Sequence, residues 1–148
     1  MAPSRPAVCE ETAASEPEVE APLSQDLNSP ITAEEQASCA LLNVYLRDPS
    51  SLEISEAGLE RLRHNAACAV ESGQPLTVQA HTDQRGTMEY NLAVTERVAE
   101  MVSRRLVEFG VPESRVSTEA YGEDRLVCDS LLADCLLQNR RVEFSYEP

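Results

Sequence analysis

Along residues 76 to 81, "LTVQAH", apolar and polar side chains alternate, with Leu76, Val78 and Ala80 set against Thr77 and Gln79. A period of two marks a strand with one buried face. The rhythm lengthens on either side of it. Upstream, Leu59, Leu62, Ala66 and Ala69 recur at helical steps, with Ser55 as N-cap, Glu56 in the first turn and Gly73 as the stop. Downstream, Tyr90, Val94, Val98, Met101, Val102, Leu106 and Phe109 form a longer stripe, which predicts a helix from about Met88 to Phe109, ended by Gly110 and Pro112. "CALLNVYLR", from Cys39 to the turn cluster "DPSS", reads as a first strand. "RVSTEAYG" and "NRRVEFSY" read as the third and last strands, and "EDRLVCDSLLADCLLQ" between them as an irregular or short helical crossover. The order is β-α-β-α-β-(α)-β, and the two helical crossovers have the length of parallel right-handed units. The predicted fold is α+β: a two-layer sandwich with a mixed four-stranded sheet and helices on one face.

The first 36 residues break this pattern. "CEETAASEPEVEAPLSQDLNSPITAEEQ" is rich in Pro, Ser, Ala and Glu and offers little to bury, so residues 1–36 are expected to be a disordered acidic tail or tether and residues 37–148 the domain. A flexible chain of that length spans roughly 30–35 Å root-mean-square. The whole chain carries a formal charge of −14, and its 12 basic residues are all Arg. Such a balance excludes nonspecific binding to nucleic acid or anionic lipid, which needs a basic patch. There is no apolar run long enough to span a bilayer, and the opening "MAPSRPAV" reads as a mature or engineered start, compatible with an export signal already removed.

The five cysteines, at 9, 39, 68, 128 and 135, include no CxxC, so neither a thioredoxin-type site nor a zinc knuckle is signalled. The odd count leaves one unpaired, and Cys9 in the tail is the natural one. Cys128 and Cys135 flank a short stretch and are expected to pair in an oxidising compartment. For Cys39 and Cys68, pairing and burial as free thiols both stand.

Candidate chemistry concentrates in the loop "HTDQRGT". Thr82, Asp83 and Gly86 follow a strand's carboxyl end, where open α/β sheets bind ligands, and Asp83 offers a carboxylate beside a helix N-terminus. In the plainer alternative, Asp83 caps that helix or braces its own loop. His64 and His81 are isolated. The sequence has no Ser-His-Asp arrangement, phosphate loop or paired-carboxylate site, so no catalysis, metal or cofactor is expected.

In "AHTDQRGTMEYNLAVTER", "GVPESRVSTEAYGE" and "NRRVEF", in that order and spacing, the chain resembles the OmpA-like C-terminal domain family, of the peptidoglycan-associating type. The resemblance covers residues from about 39 to 146. It implies a periplasmic domain of a Gram-negative bacterium, associated with outer membrane or wall, that holds peptidoglycan noncovalently by the meso-diaminopimelate of its stem peptide. That ligand ends in an ammonium and a carboxylate, so its site needs an acid and a guanidinium. By the resemblance Asp83 accepts the ammonium, Thr82 and Asn91 order the loop, and "DPSS", beginning with Asp48, forms the rim. The family's usual carboxylate-binding Arg falls at position 98, where this chain has Val98. Adjacent helical residues point about 100° apart, so Arg97 is no automatic replacement.

Two readings follow from that valine. Arg97, Arg85 or Arg141 takes over the carboxylate, or the pocket has lost its ligand and the domain is a protein–protein interaction module in an envelope assembly. Of the last arginines, Arg140 and Arg141, one would line the site, although an ion pair at the sheet's end is the plainer role for each. For Tyr90 contact with sugar or peptide and core packing both stand, and its place on the apolar stripe favours the core. "CDSLLADC" resembles the cysteine-bridged crossover of some family members, a closure worth roughly 2–3 kcal/mol. Membrane contact is expected only through an N-terminal anchor, for which Cys9 is the candidate lipidation site.

Overall fold

The computed structural model describes residues 26–147. In chain order its elements are α1 (Ala33–Ser38), β1 (Val44–Tyr45), α2 (Glu56–Ser72), β2 (Leu76–His81), α3 (Met88–Glu108), β3 (Val116–Gly122), α4 (Ala133–Asn139) and β4 (Arg141–Tyr146). Short 3-10 turns cover Pro49–Ser51 and Glu113–Arg115. The four-stranded sheet runs β1-β4-β2-β3. Strand β4 is antiparallel to both β1 and β2, and β2 is parallel to β3. Both helical crossovers therefore join strands of like direction, the first stepping over β4, and the sheet is mixed as the sequence predicts.

The helix limits follow from their caps. Ser55 Oγ accepts the Gly58 N–H at the start of α2, and Gly73, at φ +71°, closes it in the left-handed region. Thr87 Oγ1 accepts the Tyr90 N–H at the start of α3. Val78 and Ala80 of β2 meet Leu62, Val98, Val102 and Leu106 of the helices in one core, each almost or wholly shielded from solvent. Tyr90 departs from its expected place: it is 53 % exposed. The first turn of α3 stands over the loop that precedes it, so the stripe meets the sheet only from Val94 onward.

The expected first strand is reduced to Val44–Tyr45; Leu46 still donates its N–H to the Arg140 carbonyl at 2.9 Å, but side chains satisfy the backbone at Leu42 and on the outer side of Tyr45. Asn65 of α2 accepts the Leu42 N–H at 2.8 Å and donates to the Leu42 carbonyl at 2.7 Å. On Tyr45, Asn28 does the same, both bonds at 2.8 Å. Asn28 is 3 % exposed, so packing reaches back below the boundary expected at 37. Helix α1 likewise begins within the expected tail, at Ala33, while residues 1–25, with Cys9, lie outside the described residues. Cys128 and Cys135 are bonded, as are Cys39 and Cys68, which settles the pairing left open above. The Cys39–Cys68 bond ties the end of α1 to α2, and the Cys128–Cys135 bond closes the turn that leads into α4.

Candidate functional site

Beyond β2 the chain leaves the sheet, still held at Thr82, whose N–H donates to the Gly122 carbonyl at 2.9 Å. Asp83 comes next, 4 % exposed. The chain then turns at Gly86, φ +87°, and enters α3 through Thr87. A Cβ on Gly86 would lie 3.3 Å from Asn91 Oδ1, so the loop sits close against the helix it precedes.

Two arginines cover the Asp83 carboxylate. Arg85 donates to Oδ1 from its backbone N–H at 2.9 Å and from Nε at 3.2 Å, and to Oδ2 from Nη2 at 3.0 Å. Arg140, at the junction of α4 and β4, donates from Nε to Oδ2 at 2.6 Å and from Nη1 to the Arg47 carbonyl. The two differ in setting: the Arg85 side chain is 56 % exposed and that of Arg140 only 7 %. Asn91 braces the loop from α3, donating through Nδ2 to Glu123 Oε1 at 2.7 Å and to the Asp83 carbonyl at 3.4 Å.

These groups open on a cleft of about 290 Å³ lined by Asp48, Pro49, Ser50, Thr82, Asp83, Arg85, Gly86, Tyr90, Asn91 and Val94. Asp48 shapes its rim by accepting the Ser50 N–H at 3.2 Å and the Ser50 hydroxyl at 2.7 Å. A larger hollow of about 460 Å³ adjoins it, sharing Asp48 and bounded by Arg140, Tyr45, Glu53 and Leu137. The smaller cleft is the better ligand site, because it alone contains the buried carboxylate.

The structure thus brings together Asp48, Thr82, Asp83 and Asn91 of the residues expected from sequence, and leaves out two. Arg97 is exposed on α3 and does not line the cleft. Arg141 lies on the other face of the sheet, where it pairs with Glu143 at 2.6 Å and donates to the Arg125 carbonyl at 2.8 Å. Its neighbour Arg140 is the one that reaches Asp83. The signal was present in the alternation of β4: Val142 and Phe144 point to the core, so Arg140 shares their side and Arg141 does not. Val98 is 1 % exposed within the core, so position 98 supplies packing and no charge to the cleft.

His81 is not a ligand group. It stacks on Tyr121, ring centroids 5.1 Å apart, with neither ring nitrogen hydrogen-bonded. Burial, and next the Arg141 guanidinium, push its imidazole down to about 4, against the opposing pull of Glu143. No group of side chains suited to a metal ion occurs among the described residues, nor any helix long and apolar enough to cross a membrane.

A mixed sheet backed by two long helices, with a carboxylate-floored cleft beyond a strand end, defines a small α+β binding domain. The chain belongs to the OmpA family, whose profile matches residues 48–134. It is 36 % identical over 111 residues to the peptidoglycan-associated lipoprotein of Pseudomonas aeruginosa, covering 75 % of this chain and 66 % of that protein. To the peptidoglycan-associated lipoprotein of Agrobacterium fabrum it is 46 % identical over 69 residues, 45 % of this chain and 38 % of that protein. The crystal structure of the peptidoglycan-associated lipoprotein from Burkholderia pseudomallei matches with a TM-score of 0.66 and 29 % identity, over 71 % of this chain and 89 % of that one. The C-terminal domain of Helicobacter pylori MotB, at TM-score 0.65 and 17 % identity over 74 % of this chain and 86 % of that one, shares the fold alone. The chain spans less than two thirds of the length of these two lipoproteins.

Proposed function

We propose that this domain binds peptidoglycan noncovalently in the Gram-negative periplasm and anchors an envelope protein or complex to the cell wall, gripping the stem peptide at its diaminopimelate. The observation that carries this is Asp83: a carboxylate 4 % exposed, at the floor of an open cleft, held by bonds from Arg85 and Arg140, with Asn91 bracing its backbone. A buried carboxylate at a cleft floor favours cationic partners, and the partner on its open side is the half-exposed Arg85. The ammonium of diaminopimelate is also a cationic group, and the cleft has room for the end of one amino-acid side chain. The role is binding, and no step of covalent chemistry is assigned to the site.

The test is an NMR titration of the domain with a diaminopimelate-containing stem peptide. Saturable shifts at Thr82, Asp83 and Asn91, lost in Asp83→Asn, are expected, together with co-sedimentation of the wild type with purified peptidoglycan. A wild type that neither shifts nor sediments would sink the proposal. It would favour the second reading, a protein–protein interaction module in the envelope. The burial of Val98 supports that second reading, since α3 then offers the cleft no guanidinium.

A further inference from the structure

The Asp83 carboxylate is bonded by an arginine of its own loop. Arg85, two residues on, grips both carboxylate oxygens and lines the cleft, so its guanidinium occupies the place that a ligand ammonium would take. A ligand amine must therefore displace a cation to bind. The second cation on Asp83 is not available for displacement: Arg140 is 7 % exposed, bonded to Asp83 and tied to the Arg47 carbonyl. Arg85 is held differently. Its side chain is 56 % exposed, and such half-exposed pairs, weakened by solvent, exchange readily.

From this we infer, resting on the wall-binding reading, that Arg85 is the specificity-determining residue of the cleft and works by exchange. The incoming ammonium takes Asp83, and the freed Arg85 guanidinium turns to take the carboxylate carried on the same carbon. One ion pair is replaced by two and the charge of the cleft is unchanged, because the ligand end is a zwitterion. Among the described residues no other arginine lines the cleft. Arg97 is exposed and outside the cleft lining, position 98 is a core valine, and Arg141 is bonded on the opposite face of the sheet. The exchange selects for the free amino-acid end of diaminopimelate. A plain amine, such as lysine in the same stem peptide, breaks the Asp83–Arg85 pair and leaves Arg85 without a partner. A carboxylate alone gains nothing at Asp83.

The experiment is a calorimetric titration of the wild type, Arg85→Gln and Arg85→Lys with three stem peptides: one with diaminopimelate, one with its side-chain carboxyl amidated, and one with lysine in its place. The wild type is expected to favour the diaminopimelate peptide by about tenfold or more, the scale of one charged hydrogen-bonded pair. Arg85→Gln should lose that preference through weaker binding of diaminopimelate, with the lysine and amidated peptides bound as well as before or better. Arg85→Lys, which keeps the charge but not the fork, should fall between. If Arg85→Gln binds all three peptides more tightly by one factor, Arg85 is only a plug. If it weakens all three equally, Arg85 only shapes the loop. If it keeps the diaminopimelate preference, another group takes the carboxylate. Each of these overturns the exchange while leaving wall binding standing. A wild type that binds none of the three overturns both.

Discussion

Replacing Arg140 by Met separates the two arginines on Asp83 by what they do for stability. Arg140 and Asp83 are 7 % and 5 % exposed and 2.6 Å apart, and Met keeps much of the aliphatic stem while removing the charge. Breaking a buried pair by deleting one partner costs about 3–5 kcal/mol, because the other charge is left in low dielectric. Arg85 still touches Asp83 from the solvent side, which places the loss at the lower end, about 3 kcal/mol. Arg85→Gln deletes a pair whose arginine is 56 % exposed and should cost about 1 kcal/mol or less. Urea denaturation followed by circular dichroism, with the disulfides intact, reads both. At a slope of about 2 kcal/mol per molar, Arg140→Met should lower the midpoint by ~1.5 M and Arg85→Gln by no more than ~0.5 M. Equal shifts for the two variants, or a shift below ~0.5 M for Arg140→Met, would refute the division into a structural and an exchangeable arginine.

Three further outcomes are expected. Replacing Cys39 and Cys68 by Ser opens a separation of 29 residues and should cost about 3.6 kcal/mol, against about 2.4 for Cys128 and Cys135, separated by 7; calorimetric melting of the two double variants gives the order. Because folding depresses the His81 imidazole from 6.5 to about 4, its contribution to stability is fully present above pH 6.5 and is lost as pH falls toward 4, where the unfolded chain takes a proton that the folded chain refuses. That loss approaches ~3 kcal/mol, and His81→Phe should flatten the difference in urea midpoint between pH 7 and pH 5. Asn28→Ala strips both backbone bonds from Tyr45 and should cost about 2 kcal/mol, with faster amide exchange at Tyr45 as the local readout.

What could be read from sequence was what local geometry decides. The caps at Ser55 and Gly73, the alternation through Leu76, Val78 and Ala80, and the loop carrying Asp83 each depend on neighbours a few positions away, and each stands where expected. What failed depends on distance. Asn28 substitutes for a strand neighbour of Tyr45 across 17 residues, a pairing no composition reveals, so the segment around it read as tail. Tyr90 lies on the right stripe, but the stripe runs one turn beyond the sheet that would cover it. The choice between Arg140 and Arg141 is written in the strand, since the inward Val142 fixes the parity of both. The role of Arg85 was harder to see: its contact with Asp83 is local, but its meaning comes from the burial of Arg140 and of Val98.

The Cys39–Cys68 bond also decides how the domain bears load. A pull entering from the N-terminal side first meets Asn28 and α1, which are held by hydrogen bonds and can peel away one contact at a time. At Cys39 the peeling stops, because the covalent bond passes the force to Cys68 in the last turns of α2 and past strand β1 altogether. The residues before Cys39 act as a yielding lead, and the sheet that carries the cleft lies behind a hard stop. A domain built this way keeps its binding loop in shape under tension that has already stripped its first helix.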